Sequence, residues 1–189
     1  MDDLTIAVTK LVIFLTATIG FAWVSRNSLR NPQSHGFYRF FAWEGILFLF
    51  LMNVNYWFSD PRSPIHLLSW LLLILSLVFI IEGVRLFRTQ GKIKPDRNDP
   101  ELVSVEKTTE LVTTGLYGYI RHPFYSSLLF LAWGILLKHV TWYGTLLALI
   151  VTLLLVITAK KEEAENIGFF GEPYQEYMKR TKMFVPFLL

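Results

Sequence analysis

Long apolar runs alternate with short polar ones along this chain, and the runs have the length of membrane spans. A span needs about 20 mostly apolar residues to cross a hydrocarbon layer about 30 Å thick. Residues 4–24 form one run, broken only by Lys10 and small polar residues. Residues 37–58 form a second with Glu44 inside it, and residues 65–87 form the cleanest, with Glu82 near its end. A fourth run, 124–137, has only 14 residues, and a fifth, 142–159, follows a Lys138-His139 turn. These last two are expected to form a tight helical hairpin, its first member crossing because Pro123 starts it inside the interface. The flank Met1-Asp2-Asp3 is acidic and no small-residue cleavage site follows, so the first run reads as a span and not as a signal peptide. The predicted fold class is all-α: a polytopic membrane protein of about five transmembrane helices. Residues 1–88 form a three-span N-terminal bundle, and residues 89–189 one integrated unit of loop, hairpin and C-terminal tail.

Composition supports lipid as the main solvent. Of 189 residues, 53% are hydrophobic and 17% charged, and the mean hydropathy is +0.42. An ordinary soluble domain carries about a quarter charged residues. Cysteine is absent, which excludes disulfides, thiolate chemistry and iron–sulfur clusters. The net charge of +3 is too mild for a nucleic-acid partner. Its distribution orients the chain. The first loop holds Arg26, Arg30 and Arg39, Arg62 lies alone in the second, and Lys138 lies alone in the hairpin turn. The third loop carries Arg85, Arg88, Lys92, Lys94, Arg97, Lys107 and Arg121, and the tail carries Lys160, Lys161, Lys179, Arg180 and Lys182. Basic loops stay in the cytoplasm. Five spans with the N-terminus outside place every basic segment there, along with any site built from the third loop and the tail.

Those two segments are more than connectors. Residues 90–120 are long for a loop, and such loops are functional or disordered. Leu102, Val103, Val105, Leu111, Val112, Leu116, Tyr117 and Tyr119 argue for order. The tail, 162–189, mixes charge with Phe169, Phe170, Tyr174, Tyr177, Phe184 and Phe187, and is expected to fold back on the membrane face, partly as an amphipathic helix.

Candidate chemistry concentrates in two clusters. In the first, Gly115 and Gly118 allow close backbone approach, and Pro123 suits the first turn of a helix. Arg121 and His122 then stand just ahead of a helix N-terminus, whose free N–H groups suit an anion such as a carboxylate. The second is Lys160-Lys161-Glu162-Glu163, then Phe170, Gly171, Tyr174 and Tyr177. Glu162 and Glu163 are expected at the end of the last span, where the helix dipole disfavours anions. Lys160 and Lys161 or a cationic ligand would offset that cost. The hairpin makes His122 and Glu162 neighbours. Glu82 is expected to pair with Arg85, and Glu44 to snorkel or pair with Arg39. His35, His66 and His139 share no ligand spacing, so no metal site is predicted.

The ordered set LVTTGLY ending at Tyr117, RHPFY ending at Tyr125, Glu162-Glu163, Phe170-Gly171, Tyr174 and Tyr177 resembles the isoprenylcysteine carboxyl methyltransferase family, grouped with the membrane phospholipid methyltransferases. The resemblance covers roughly residues 100 to 187 and implies an S-adenosylmethionine site. By position, the cofactor contacts fall on Thr109, Glu110, Leu111, Val112, Tyr117, His122, Pro123, Phe124, Tyr125 and Glu162. Arg121 and Glu163 are the catalytic candidates. The resemblance also implies a lipophilic or prenylated substrate entering sideways from the bilayer. Two positions depart from the family pattern. Thr158 stands where those enzymes place a carboxylate-binding Arg, and Ser127 stands where a Gly is usual. The expected activity is carboxyl O-methylation of an isoprenylcysteine-like acid, with N-methylation of a phospholipid headgroup as the alternative. In the second case Glu163 or a Tyr could take the amine proton. A membrane reductase and a non-enzymatic membrane protein are the competing classes.

Overall fold

A computed structural model describes residues 2–91 and 109–186. Among them every regular element is helical: α1 Asp3–Val24, α2 His35–Asn53, α3 Pro64–Gln90, α4 Pro123–Leu136, α5 Trp142–Phe170 and α6 Glu172–Arg180, with short 3-10 turns between. Four of these helices are long and apolar enough to cross a membrane, and α4 is a shorter apolar helix. The chain is an integral, multi-pass membrane protein, with the expected five apolar helices.

Local chemistry explains where the helices begin. The Ser63 hydroxyl accepts the His66 N–H ahead of Pro64, and the Thr141 hydroxyl accepts the Gly144 N–H ahead of Trp142. With 14 residues, α4 is about 21 Å long at about 1.5 Å per residue, shorter than the hydrocarbon layer. It survives because protein surrounds it. Tyr125, Ala132, Ile135 and Leu136 join Ala42, Ile46 and Leu49 of α2 and Ala148, Val151, Leu155 and Ala159 of α5 in one core. Helix α1 lies outside, with no buried residue, touching α2 through Phe14–Phe48 and Phe21–Trp43 ring contacts.

Lipid tails are as apolar as leucine, so helices associate here by close packing and interhelical hydrogen bonds. The Ser69 hydroxyl donates to Gly134 O at 2.6 Å, and Asn53 Nδ2 to Ile135 O at 3.0 Å. A side chain at Gly134 would meet Leu73 at 3.0 Å, and one at Gly45 would meet Val151 at 2.6 Å. Contacts of α3 with α4 and of α2 with α5 tie the first half of the chain to the second. At one end of the bundle Glu165 accepts the His35 backbone N–H and bonds the His35 ring. At the other, His66 Nε2 lies 3.0 Å from Lys138 O.

Three expectations need correction. Helix α5 does not stop near Ala159 but runs about three turns further, to Phe170, where Gly171 at φ +67° ends it. Glu162 and Glu163 are therefore helix-interior residues and not helix-terminal ones, and each has a side-chain partner, Tyr125 for Glu162 and Arg121 for Glu163. Glu44 does not pair with Arg39; its Oε2 accepts the Thr18 hydroxyl of α1 at 2.8 Å. The second span ends earlier as an α-helix, at Asn53, with a 3-10 turn Val54–Tyr56 beyond it. Glu82 does pair with Arg85, at 2.6 and 2.8 Å. Leu102, Val103 and Val105 lie outside the described residues.

Candidate active site

The segment entering α4 is held by the tail. Lys182 N–H donates to Tyr119 O, Arg121 N–H to Lys182 O, and His122 N–H to Met183 O, at 2.8–3.2 Å. This is a strand-like ladder one bridge long, Ile120 with Lys182. The Ser126 hydroxyl donates to Phe184 O at 2.7 Å. From α6, the Tyr177 hydroxyl donates to Tyr117 O at 2.7 Å. Burial pushes the Tyr174 and Tyr177 phenols well above their usual range, although Arg121 and Arg180 pull Tyr177 partly back. Tyr177 therefore keeps the proton that its hydrogen bond needs.

Adjacent residues on a helix diverge by about 100°, so Glu162 and Glu163 face different partners. Glu163 is buried. Its Oε1 accepts from Arg121 Nε at 2.6 Å and lies 3.3 Å from His122 Nε2. The Arg121 guanidinium also donates to the carbonyls of Met178 and Thr181 at the end of α6. Glu162 accepts the Tyr125 hydroxyl, and its carboxylate lies 3.9 Å from His122 Nδ1. The His122 ring is buried, flanked by a carboxylate on either side, and stacked near Tyr125 at 5.4 Å.

A second group adjoins this one through Phe124. Tyr117 stacks on Phe87 of α3 at 4.8 Å and 12°, and Phe87 meets Phe124 edge-on at 5.1 Å. Gly83 lets Phe124 approach α3: a Cβ there would come within 3.2 Å of its ring. Val112 packs with Leu86 and Tyr117. Pro123 is buried and Leu111 half-buried. Thr109 and Glu110 both donate their backbone N–H to Gly91 O at 3.2 Å, folding the loop onto the end of α3. Thus Arg121, His122, Tyr125, Glu162 and Glu163 form one bonded cluster, with Tyr117, Phe124 and Val112 beside it. Thr109 and Glu110 stand further along, at the α3 terminus.

Sequence reasoning did not assign Phe87, Gly83, Ser126, Asn166 or residues 182–184 to the site, although it counted Lys182 and Phe184 in the tail. Ser126-Ser127 in the first turn of an apolar helix was a usable signal, since a buried hydroxyl needs a partner. Asn166, hydrogen-bonded to Tyr174, was another.

Comparison with known proteins then places the chain. The profile of the phospholipid methyltransferase family matches residues 64–176, more than half of the chain, from α3 into α6. The chain belongs to that family. It is also similar to protein-S-isoprenylcysteine O-methyltransferase of Schizosaccharomyces pombe, 27% identical over 104 residues, covering 53% of this chain and 44% of that protein. It is similar to methanethiol S-methyltransferase 1 of Bradyrhizobium diazoefficiens, 29% identical over 168 residues, covering 82% of this chain and 55% of that protein. The chain thus spans about half the length of the curated relatives it matches. No solved structure matches it.

Proposed function

We propose that this chain is a methyltransferase that takes its methyl group from S-adenosylmethionine and delivers it to a lipophilic acceptor at the membrane. The observation that carries this reading is the cluster of Glu162, Tyr125 and His122 against the N-terminus of α4, with the Tyr117 and Phe124 rings alongside. The donor set suits the cofactor. Its ammonium calls for a carboxylate, its carboxylate for free helix N–H groups, and its sulfonium and purine for aromatic surface. Glu162 is the candidate partner of the ammonium. The backbone N–H groups of Phe124 and Tyr125, in the first turn of α4, are the candidates for the carboxylate. Tyr117 and Phe124 supply the aromatic wall, with Thr109, Glu110, Leu111 and Val112 at its edge.

When bound, S-adenosylmethionine supplies an electrophilic methyl group on a cationic sulfur, open to in-line displacement by a lone pair. The chain's task is then alignment and exclusion of water. Arg121 and Glu163 serve by position: their ion pair anchors the first turn of α4 to α5 and α6 and holds the His122 ring between the two glutamates. A carboxylate acceptor needs no general base, and the loss of opposite charges on reaction favours a dry site.

The first reading of the acceptor is an isoprenylcysteine-like acid, the acceptor class that the fission-yeast relative's name states. A specific observation favours a second, a thiol. Thr158 is buried and its hydroxyl donates back to Leu154 O at 2.7 Å, so α5 presents no cation there. The bradyrhizobial relative, named for a small thiol, matches 82% of the chain. Purified protein in lipid nanodiscs should be given methyl-labelled S-adenosylmethionine with a farnesylcysteine analogue, phosphatidylethanolamine or an alkanethiol. A base-labile product supports the ester reading, and a base-stable thioether the second. Label on phosphatidylethanolamine replaces both with headgroup N-methylation. No transfer to any of them, and no calorimetric binding of S-adenosylhomocysteine by folded protein, ends the methyltransferase reading.

A further inference from the structure

The flank of α5 that faces away from Glu162 opens into a basic cavity of about 540 Å³. Five of its lining side chains are cationic, Arg121, Lys160, Lys179, Arg180 and Lys182, and none is acidic. Arg121 is matched by Glu163 and Lys179 by Glu176. Arg180 stands over the Tyr177 ring at 5.9 Å. Lys160 and Lys182 have no ion-pair partner among the described residues. Among the described residues the cavity thus holds more positive charge than its surroundings balance.

Its other wall is apolar and continuous with the lipid-facing surface. Leu149, Leu153, Val156 and Lys160 recur at helical spacing on one stripe of α5. Leu149 and Leu153 are more than half exposed, at 51% and 60%, while Val156 and Lys160 line the cavity. An occupant lying along this stripe has its hydrocarbon beside the two leucines and its head among the lysines. A soluble anion would use the lysines and leave the leucines uncovered.

The geometry points to a binding site for an anionic phospholipid, with the phosphate of its headgroup between Lys160 and Lys182 and one acyl chain along Leu153 and Leu149. The site borders the candidate active site at Arg121 but contains none of the candidate cofactor contacts, and its place in the fold gives it a task. Lys182 belongs to the ladder that pins Tyr119 and Arg121, and Lys160 stands on α5. A lipid bridging the two clamps the tail over the entrance to α4.

Binding of phosphatidylglycerol to the full-length protein in detergent, followed by native mass spectrometry and by thermal shift, tests this. Phosphatidylcholine and inorganic phosphate serve as the comparison arms. Each basic side chain beside an anionic headgroup contributes about a fivefold factor, so Lys160→Gln with Lys182→Gln should weaken phosphatidylglycerol binding about thirtyfold. Arg30→Gln, an exposed basic change at the same end of the bundle, should not weaken it. Leu153→Glu, which places charge on the acyl path, should weaken lipid binding and leave S-adenosylhomocysteine binding intact. Equal retention of phosphatidylcholine, an unchanged double variant, or full displacement of lipid by inorganic phosphate would each overturn the proposal.

Discussion

At the scale of single residues, Arg121 divides its guanidinium among Glu163, Met178 O and Thr181 O. Breaking a buried ion pair by removing one partner costs about 3 kcal/mol or more, because the other charge stays buried. Arg121→Ala should therefore lower the melting temperature strongly. The double variant Arg121→Ala/Glu163→Gln should lose less than the two single losses together, as a thermal double-mutant cycle will read. Glu162 has a different role. Glu162→Gln and His122→Ala should weaken S-adenosylhomocysteine binding about tenfold, on the order of one charge-assisted hydrogen bond, with the melting temperature nearly unchanged for Glu162→Gln. Tyr177 titrates above its unfolded value near 10. A group whose folded pKa is raised contributes stability that is complete below the unfolded pKa and is lost as pH rises through the folded one. Melting curves between pH 8 and 11 should fall on the alkaline side for the native chain. Tyr177→Phe should be less stable at pH 8 and show a shallower alkaline decline.

At the scale of elements, the fold depends on where helices are allowed to touch. Gly134 meets Leu73 of α3 at contact distance, while a Cβ at Gly20 on lipid-facing α1 would find nothing within 4 Å. Gly134→Leu should disrupt the α3–α4 contact and abolish monodisperse protein in size-exclusion chromatography. Gly20→Leu should leave the elution profile unchanged. Short α4 and long α5 are two sides of one arrangement. The protein that encloses α4 removes its need to match the bilayer, and the partners of Glu163 and Glu165 carry α5 beyond the apolar run.

At the scale of the whole molecule, alternation of five apolar helices puts His35, Gln90, Pro123 and Lys160 at one end of the bundle and Asn53, Pro64 and Trp142 at the other. Lys and Arg crowd the first of these ends, and we propose that it faces the cytoplasm. The absence of cysteine makes the test direct. In intact cells a membrane-impermeant thiol reagent should label Ser59→Cys and spare Arg30→Cys and Lys179→Cys. The reverse pattern would invert the topology. The site draws on α3, α4, α5, α6 and the tail together, so it exists only once the bundle has closed.

The sequence by itself determined the spans, because an apolar run of the right length has one low-energy place in a bilayer. It also determined the motif residues, because Pro123 after Arg121-His122 and paired glutamates after an apolar run are local patterns. The Glu82–Arg85 pair was legible for the same reason, lying within one helical turn. Partners distant in sequence were not. Nothing local tells Glu163 to choose Arg121 while Glu162 chooses Tyr125, or Glu44 to take Thr18 over Arg39 five residues away. Nor does it tell residues 182–184 to pair with the entrance to α4. Those choices depend on which helices become neighbours and at what rotation, and only tertiary packing decides that.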